Sequence, residues 1–381
     1  MTERFFAPCP RGLEAVLDAE LARLGAADIA RTDGGVAFAG PLELAYSVNL
    51  ESRIASRVLW RVGFGTYRDE RDLHALAKSV DWKKHFRPER TIRVDVAATR
   101  SPLRSLEFAT LTVKDAVCDR FRDDTGARPS VDKRAPDARI HAYLTDREAT
   151  IYLDTSGEPL FKRGWRRDTE DAPLRENLAA GLIALSGWNP AEPFLDPMCG
   201  SGTIAIEAAT LAADRAPGLA RTFGFQKLAW FDGPTWQRLK QRARDRIKPA
   251  PATPAVFASD RAAPAVAMTR ANAANAQVDA FLQVEQADAL VRAAPADHGT
   301  LIANPPYGIR LDDRERIALM YPPLGDALKA RYAGWTAWLF SGDTALAKKI
   351  GLKTEQRLVL WNGAIECRFY RYRIVAGKLG D

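Results

Sequence analysis

Short apolar segments recur through the second half of the chain, at residues 193–196, 255–258, 281–284, 300–303 and 335–340. Alanine-rich helical stretches lie between some of them, and short apolar strands alternating with helices are the pattern of a doubly wound parallel sheet. Residues 357–361 and 364–374 then flank Asn362-Gly363, the kind of two-residue turn that a tight hairpin prefers. The expected architecture is therefore specific: a parallel α/β sheet that ends in an antiparallel hairpin.

The first half follows another rhythm. Residues 4–7 read as a strand and 11–24 as a helix with Leu13, Val16, Leu17, Leu21 and Leu24 on one face, closed by Gly25. Strands near Ile29 and at 36–38, a helix at 42–49 and a strand at 57–65 complete a first α+β unit. A second runs from helix 73–79 through strand 91–98, helix 105–122 and strands 138–144 and 148–154. These spans give expected borders at 1–66 and 67–157, a linker at 158–172 and an α/β domain at 173–381.

Bulk properties narrow the function classes. A chain of 381 residues exceeds what one ordinary core holds, and no apolar run approaches the roughly 20 residues of a membrane helix. The N-terminus shows no signal-peptide pattern, and Cys9, Cys118, Cys199 and Cys367 are scattered without zinc or disulfide spacing. A reducing, cytoplasmic setting is the expectation. The four histidines are not at metal-ligand spacing, so no metal is expected. The net charge of +7 is compatible with a polyanionic partner, but it is spread over both halves and proves none.

Two constellations carry chemistry. The first is Leu195-Asp196-Pro197-Met198-Cys199-Gly200-Ser201-Gly202-Thr203, at the carboxyl end of the first sheet strand and opening a helix, where such sheets bind ligands. Gly200 and Gly202 let the backbone pass close to a nucleotide-like ligand. Asp260, at the end of the next strand, is placed to accept hydrogen bonds from both ribose hydroxyls. The same glycines also match a dinucleotide fingerprint, so a nicotinamide enzyme stays open at this point.

The second constellation, Ile302-Ala303-Asn304-Pro305-Pro306-Tyr307-Gly308, has no use in a dehydrogenase. An exocyclic base amine is a poor nucleophile, because its lone pair is delocalised into the ring. The Asn304 side-chain carbonyl and the Pro305 main-chain carbonyl are placed to accept its two hydrogens and aim the lone pair. Proline adds no competing N–H, and Tyr307 can stack on an extruded base. The motif points to amine methylation and leaves RNA, DNA and protein glutamine open as acceptors.

Together, Asp196-Pro-Met-Cys-Gly-Ser-Gly-Thr and Asn304-Pro-Pro-Tyr-Gly closely resemble class I methyltransferases joined to an N-terminal THUMP domain, in particular the bacterial 23S ribosomal RNA guanine-N2 methyltransferases. Phe6-Ala-Pro-Cys-Pro-Arg-Gly-Leu-Glu14, Arg163-Gly-Trp-Arg166, Ala172-Pro-Leu-Arg-Glu-Asn-Leu178 and the insertion from Phe223 to Trp236 match as well. The resemblance implies a ferredoxin-like unit, a THUMP RNA-binding domain and a Rossmann-like seven-stranded catalytic sheet. It further implies S-adenosylmethionine as cofactor, held by Asp196, Pro197, Cys199, Gly200, Ser201, Gly202, Thr203, Asp260 and Asp288. Glu176 and Asn177 match a segment near the cofactor. Asn304, Pro305, Pro306 and Tyr307 would hold the target amine.

A second methyltransferase domain, carried by some members, is not expected before Asp381. Candidate RNA contacts are Arg163, Arg166 and Arg167 in the linker, and Arg238 and Arg242 on a basic helix expected at 235–248. The linker arginines could equally pair with Asp168, Glu170 and Asp171. The other readings are a transfer RNA guanine-N2 methyltransferase and a non-catalytic RNA-binding assembly factor.

Overall fold

The structure, a computed structural model, describes residues 2–166, 174–306, 315 and 317–375. Its contacts divide the chain into two compact units. One comprises Met1–Pro8, Asp18–Leu160 and Arg221–Gln241, and the other Cys9–Leu17, Phe161–Ala220 and Arg242–Asp381.

The first unit is built on one seven-stranded sheet. Its strands are β1 (Glu3–Pro8), β2 (Ala27–Thr32), β3 (Gly35–Gly40), β4 (Leu59–Thr66), β5 (Ile92–Ala98), β6 (Ala138–Leu144) and β7 (Glu148–Asp154). They are ordered β2-β3-β1-β4-β7-β6-β5, and only β5 and β6 run parallel. The two α+β segments therefore share a sheet. The seam is β4 against β7, from Leu59 opposite Asp154 to Thr66 opposite Glu148, with a bulge between Arg61 and Gly63.

Helices Glu70–Ser79 and Leu106–Thr125 pack on each other and on one face of these strands. Asp69 and Ser105 cap them, Ser105 Oγ accepting from Phe108 N at 3.1 Å, and Gly126 ends the longer helix in the left-handed region. The segment 221–241 joins this unit through aromatic contacts, with Tyr46 4.5 Å from Phe225 and 5.6 Å from Trp230 between ring centroids.

The second unit has its own seven-stranded sheet. Its strands are β8 (Phe194–Asp196), β9 (Val256–Asp260), β10 (Leu282–Gln286), β11 (Gly299–Ala303), β12 (Trp335–Ser341), β13 (Gln356–Asn362) and β14 (Ile365–Arg373). The order is β10-β9-β8-β11-β12-β14-β13, with β8 to β12 parallel and β14 antiparallel between β12 and β13. The terminal hairpin is present, and its second arm is the interior one. All three residues of β8 are buried, as are the last four of β11, so these strands read as continuous apolar runs. Strand order reverses between β8 and β11, which opens a crevice at their carboxyl ends.

Helix Tyr321–Arg331 was not expected, because Pro322, Pro323 and Gly325 disguise it. Both prolines sit in the first turn, where the N–H groups have no helical partner to lose. A side chain at Gly325 would collide with the Ile350 carbonyl, so this helix can approach its neighbour only with glycine there. Among the described residues, no helix is long and apolar enough to cross a membrane.

Candidate active site

The crevice at the switch point is shaped by the turn after β8. Cys199 N donates to Ser259 O at 3.0 Å and Gly200 N to Asp260 Oδ2 at 3.0 Å, which ties the turn to the end of β9. From the helix Ala263–Ala276, Thr269 Oγ1 donates to Gly200 O at 2.8 Å and Asn272 Nδ2 to Ser201 O at 3.0 Å. Gly200 and Gly202 have φ of +51° and +85°. A Cβ on Gly202 would lie 2.8 Å from the Thr269 side chain, so both backbone angle and space require glycine there.

Asp196 ends β8 and is 2% exposed. Burial, reinforced by the neighbouring Asp260 charge, pushes its carboxyl up to about 7. Burial also pushes the Cys199 thiol up, and its Sγ lies 3.5 Å from Thr269 Oγ1, turned into the packing rather than lining the cavity. Asp260 accepts from Ala262 N at 2.9 Å through its other oxygen. Each oxygen thus has one backbone donor and keeps acceptor capacity for a ligand.

A cavity of about 220 Å³ opens here. Pro197, Asp260, Asp288, Asn304 and Pro306 all line it, so residues at or just beyond the ends of four strands, β8, β9, β10 and β11, converge on one space. Asp288 Oδ1 accepts from Leu290 N at 2.9 Å, which fixes the loop after β10. Asn304 follows β11, and its Oδ1 is buried without a hydrogen-bond partner among the described residues. A buried amide oxygen left without a donor costs stability, and a ligand N–H relieves that cost. Pro305 is buried and Pro306 exposed, and the Pro306 carbonyl accepts from the fully buried Tyr321 hydroxyl at 3.3 Å. Tyr307 lies outside the described residues.

Glu176 and Asn177 are buried at the start of helix Glu176–Ser186. Burial raises the Glu176 carboxyl despite the opposing charge of Arg166, whose Nε donates to it at 3.1 Å. Arg166 also donates to Thr203 Oγ1 at 2.7 Å, Ser201 Oγ at 3.3 Å and the Leu174 carbonyl at 3.4 Å. Its guanidinium joins the helix start to the glycine turn.

That corrects the expectation for two linker arginines. Arg166 faces inward to the turn, and Arg163 is 4% exposed with Nε 3.2 Å from Glu207. Neither guanidinium faces solvent, because each answers a buried carboxylate. Arg238 and Arg242 do stand exposed on helix Gly233–Asp245, Arg238 donating to Thr235 Oγ1 at 2.5 Å. Arg167 lies outside the described residues.

Several site residues escaped sequence reasoning. Met198, Arg261, Leu290 and Met320 line the cavity, while Thr269 and Asn272 brace the turn. Their polar spacing inside an alanine-rich helix was the one available signal. Among the described residues, no cluster of three or more His, Cys, Asp or Glu could hold a metal.

The sheet order, the glycine turn after its first strand, the acid ending its second and the Asn-Pro-Pro after its fourth define a Rossmann-like methyltransferase domain, here joined to an α+β unit. Comparison with known families agrees. The RMKL-like methyltransferase domain model matches residues 163–371, the THUMP domain model 67–154 and the RlmL ferredoxin-like domain model 4–59. The chain belongs to the RMKL-like methyltransferase family.

The ribosomal RNA large subunit methyltransferase K/L of Syntrophotalea carbinolica is 39% identical, matching 97% of this chain and 53% of its own length. The protein of the same name from Aeromonas hydrophila is also 39% identical, over 100% of this chain and 55% of itself. The chain thus spans about half the length of the curated relatives it matches. The solved structure of SMU.472, a putative methyltransferase complexed with SAH, is 29% identical with a TM-score of 0.89, covering 99% of each chain.

Proposed function

We propose that this chain is an S-adenosylmethionine-dependent RNA methyltransferase that modifies the exocyclic N2 amine of a guanine in 23S ribosomal RNA. The observation that carries the reading is the buried Oδ1 of Asn304, which has no hydrogen-bond partner among the described residues and belongs to a side chain lining the same cavity as Asp260 and Asp288. The THUMP match and the names of the relatives support RNA, and ribosomal RNA in particular.

The cavity suits the cofactor chemically. Asp260 offers acceptor capacity to ribose hydroxyls and Asp288 to an adenine amine, with Leu290 and Met198 as apolar walls. Bound there, S-adenosylmethionine supplies a methyl group made electrophilic by its sulfonium. Asn304 Oδ1 accepts one amine hydrogen of the target and the Pro305 carbonyl the other, turning the nitrogen lone pair toward the methyl. Holding the two partners for in-line attack supplies much of the barrier reduction. The methylated nitrogen is positively charged and sheds its proton readily to water. Pro306, which lines the same cavity, stands on the side where the extruded base enters.

In this reading residues 1–66 are the ferredoxin-like unit, 67–157 the THUMP domain, 158–172 the linker and 173–381 the catalytic domain. The enzyme works in the cytoplasm, and Arg238 and Arg242 are exposed cations available to phosphate.

The test is transfer of labelled methyl to unmodified 23S fragments, transfer RNA and a DNA control, with nucleoside analysis of the product. N2-methylguanosine in the 23S fragments alone is the expected result. Label in transfer RNA would reassign the substrate. Cofactor binding without label in any RNA would overturn the enzymatic reading in favour of a binding role.

A further inference from the structure

No step of the methyl transfer uses Pro10-Arg11-Gly12-Leu13-Glu14, a motif in the stretch expected to be the ferredoxin-like unit. Its contacts place it elsewhere: residues 9–17 belong to the second unit, while residues 1–8 and 18–160 belong to the first. The segment is seated on β13. Trp361 N donates to Arg11 O at 3.2 Å, and the Arg11 guanidinium lies 4.8 Å over the Trp361 ring. Gly12 has a φ of +91°, and a Cβ there would stand 2.5 Å from the Val359 carbonyl oxygen. Only glycine permits that approach.

The next residue reaches helix Glu176–Ser186. Leu13 is fully buried, and its side chain fills the space that Gly181 leaves open. A Cβ on Gly181 would lie 2.3 Å from Leu13 Cδ1 and 2.7 Å from Cδ2. Glycine is a poorer helix residue than alanine, so Gly181 serves the contact rather than the helix. The same helix opens with Glu176, whose carboxylate accepts from Arg166 Nε at 3.1 Å. Arg166 in turn donates to Thr203 Oγ1 at 2.7 Å and Ser201 Oγ at 3.3 Å, at the turn that shapes the cofactor cavity. Hydrogen bonds have a narrow range of length and angle, so a shift of the helix start would break this link.

We propose that segment Cys9–Leu17 is a positioning element of the cofactor site. Leu13, wedged against Gly181, holds helix Glu176–Ser186 where Arg166 can reach the glycine turn, and so sets the affinity for S-adenosylmethionine. β13 is the fixed side of the wedge, and the helix is the side it sets. Leu13 and Gly181 are positioning residues, since neither lines the cavity. The link is physically continuous: a packed side chain, a rigid helix and a hydrogen-bonded guanidinium. The inference rests on the cofactor part of the reading above and needs no particular RNA.

The test is calorimetric titration of the full chain with S-adenosylhomocysteine, alongside thermal melts. Gly181→Ala should raise the dissociation constant roughly 2- to 30-fold, although alanine favours the helix itself. Adding Leu13→Ala clears the space and should restore most of the affinity, a non-additivity that marks direct contact. Leu144→Ala, at a buried position in β6 of the first unit, should lower the melting temperature and leave the affinity unchanged. Wild-type affinity in folded Gly181→Ala, no rescue by Leu13→Ala, or an equal loss of affinity in Leu144→Ala would overturn the proposal. If Gly181→Ala does not fold, Arg11→Ala decides, because it removes the cation over Trp361 from an exposed position. Weakened affinity there supports the wedge, and wild-type affinity overturns it. Failure of the cofactor reading looks different: the wild-type chain itself binds no S-adenosylhomocysteine, and the proposal falls with it.

Discussion

The two sheets have the same number of strands and use them in opposite ways. In the second unit the central strands are parallel and buried, so the side chains along β8 and β11 belong to the core and chemistry is pushed to the strand ends. Asp196, Asp260 and Asn304 all stand at such ends or just beyond. In the first unit the sheet is mostly antiparallel and a groove lies on its helix-free face, so Phe6, His141 and Tyr152 are available from mid-strand. Parallel layering concentrates reactivity at a rim, while a half-covered sheet offers a surface.

This contrast can be broken most forcefully at Arg166. Arg166→Ala leaves the Glu176 carboxylate buried and unpaired, and a cost of about 3–5 kcal/mol is expected. Thermal melts should show the loss, and a Glu176→Gln partner change should restore part of it. Full stability in Arg166→Ala would mean that the rim does not depend on this brace.

Asn304→Ala should lower methyl transfer roughly a hundredfold, by analogy with the loss of one preorganised polar contact, while S-adenosylhomocysteine still binds. Equal turnover would remove Asn304 from the chemistry. Gly202→Ala meets both a positive φ and the Thr269 side chain, so about 1–3 kcal/mol of strain should appear as weakened cofactor affinity and a lower melting temperature.

The Asp196 carboxyl sharpens the comparison through pH. Its folded value of about 7 stands above the ordinary 3.8, so the folded state holds the proton that the unfolded chain releases. Its contribution is most favourable below the ordinary value and is lost as pH rises through about 7. Melting temperature should decline over that window, and Asp196→Asn should flatten the decline. The smallest effect belongs to the other unit: Ser105→Ala should cost about 1 kcal/mol through loss of a helix cap, with cofactor binding unchanged.

What the sequence disclosed follows the range of the interactions involved. The glycine turn, the Asn-Pro-Pro loop and the Asn-Gly hairpin are local, so residue identity over a few positions was enough to locate them. The seam of β4 on β7 joins residues about 90 apart, and nothing in either segment names its partner. The same holds for segment 221–241, whose aromatic residues fall within the stretch expected for the catalytic domain yet gather around Tyr46. Arg163 and Arg166 looked like a basic surface because Glu207 and Glu176, the carboxylates they answer, lie 44 and 10 positions away. Asp260 and Asn304 were placed by strand-end logic and Asp288 by the family resemblance alone, whereas the bracing by Thr269 and Asn272 needed coordinates.

The interior place of β14 has a consequence for synthesis. Until residues 365–373 emerge, β12 has an uncovered hydrogen-bonding edge, and Trp338 lacks the Phe369 ring that stacks on it at 4.5 Å. The nascent parallel sheet therefore carries a sticky flank from the completion of β12 until β14, the last of its strands in chain order, is made.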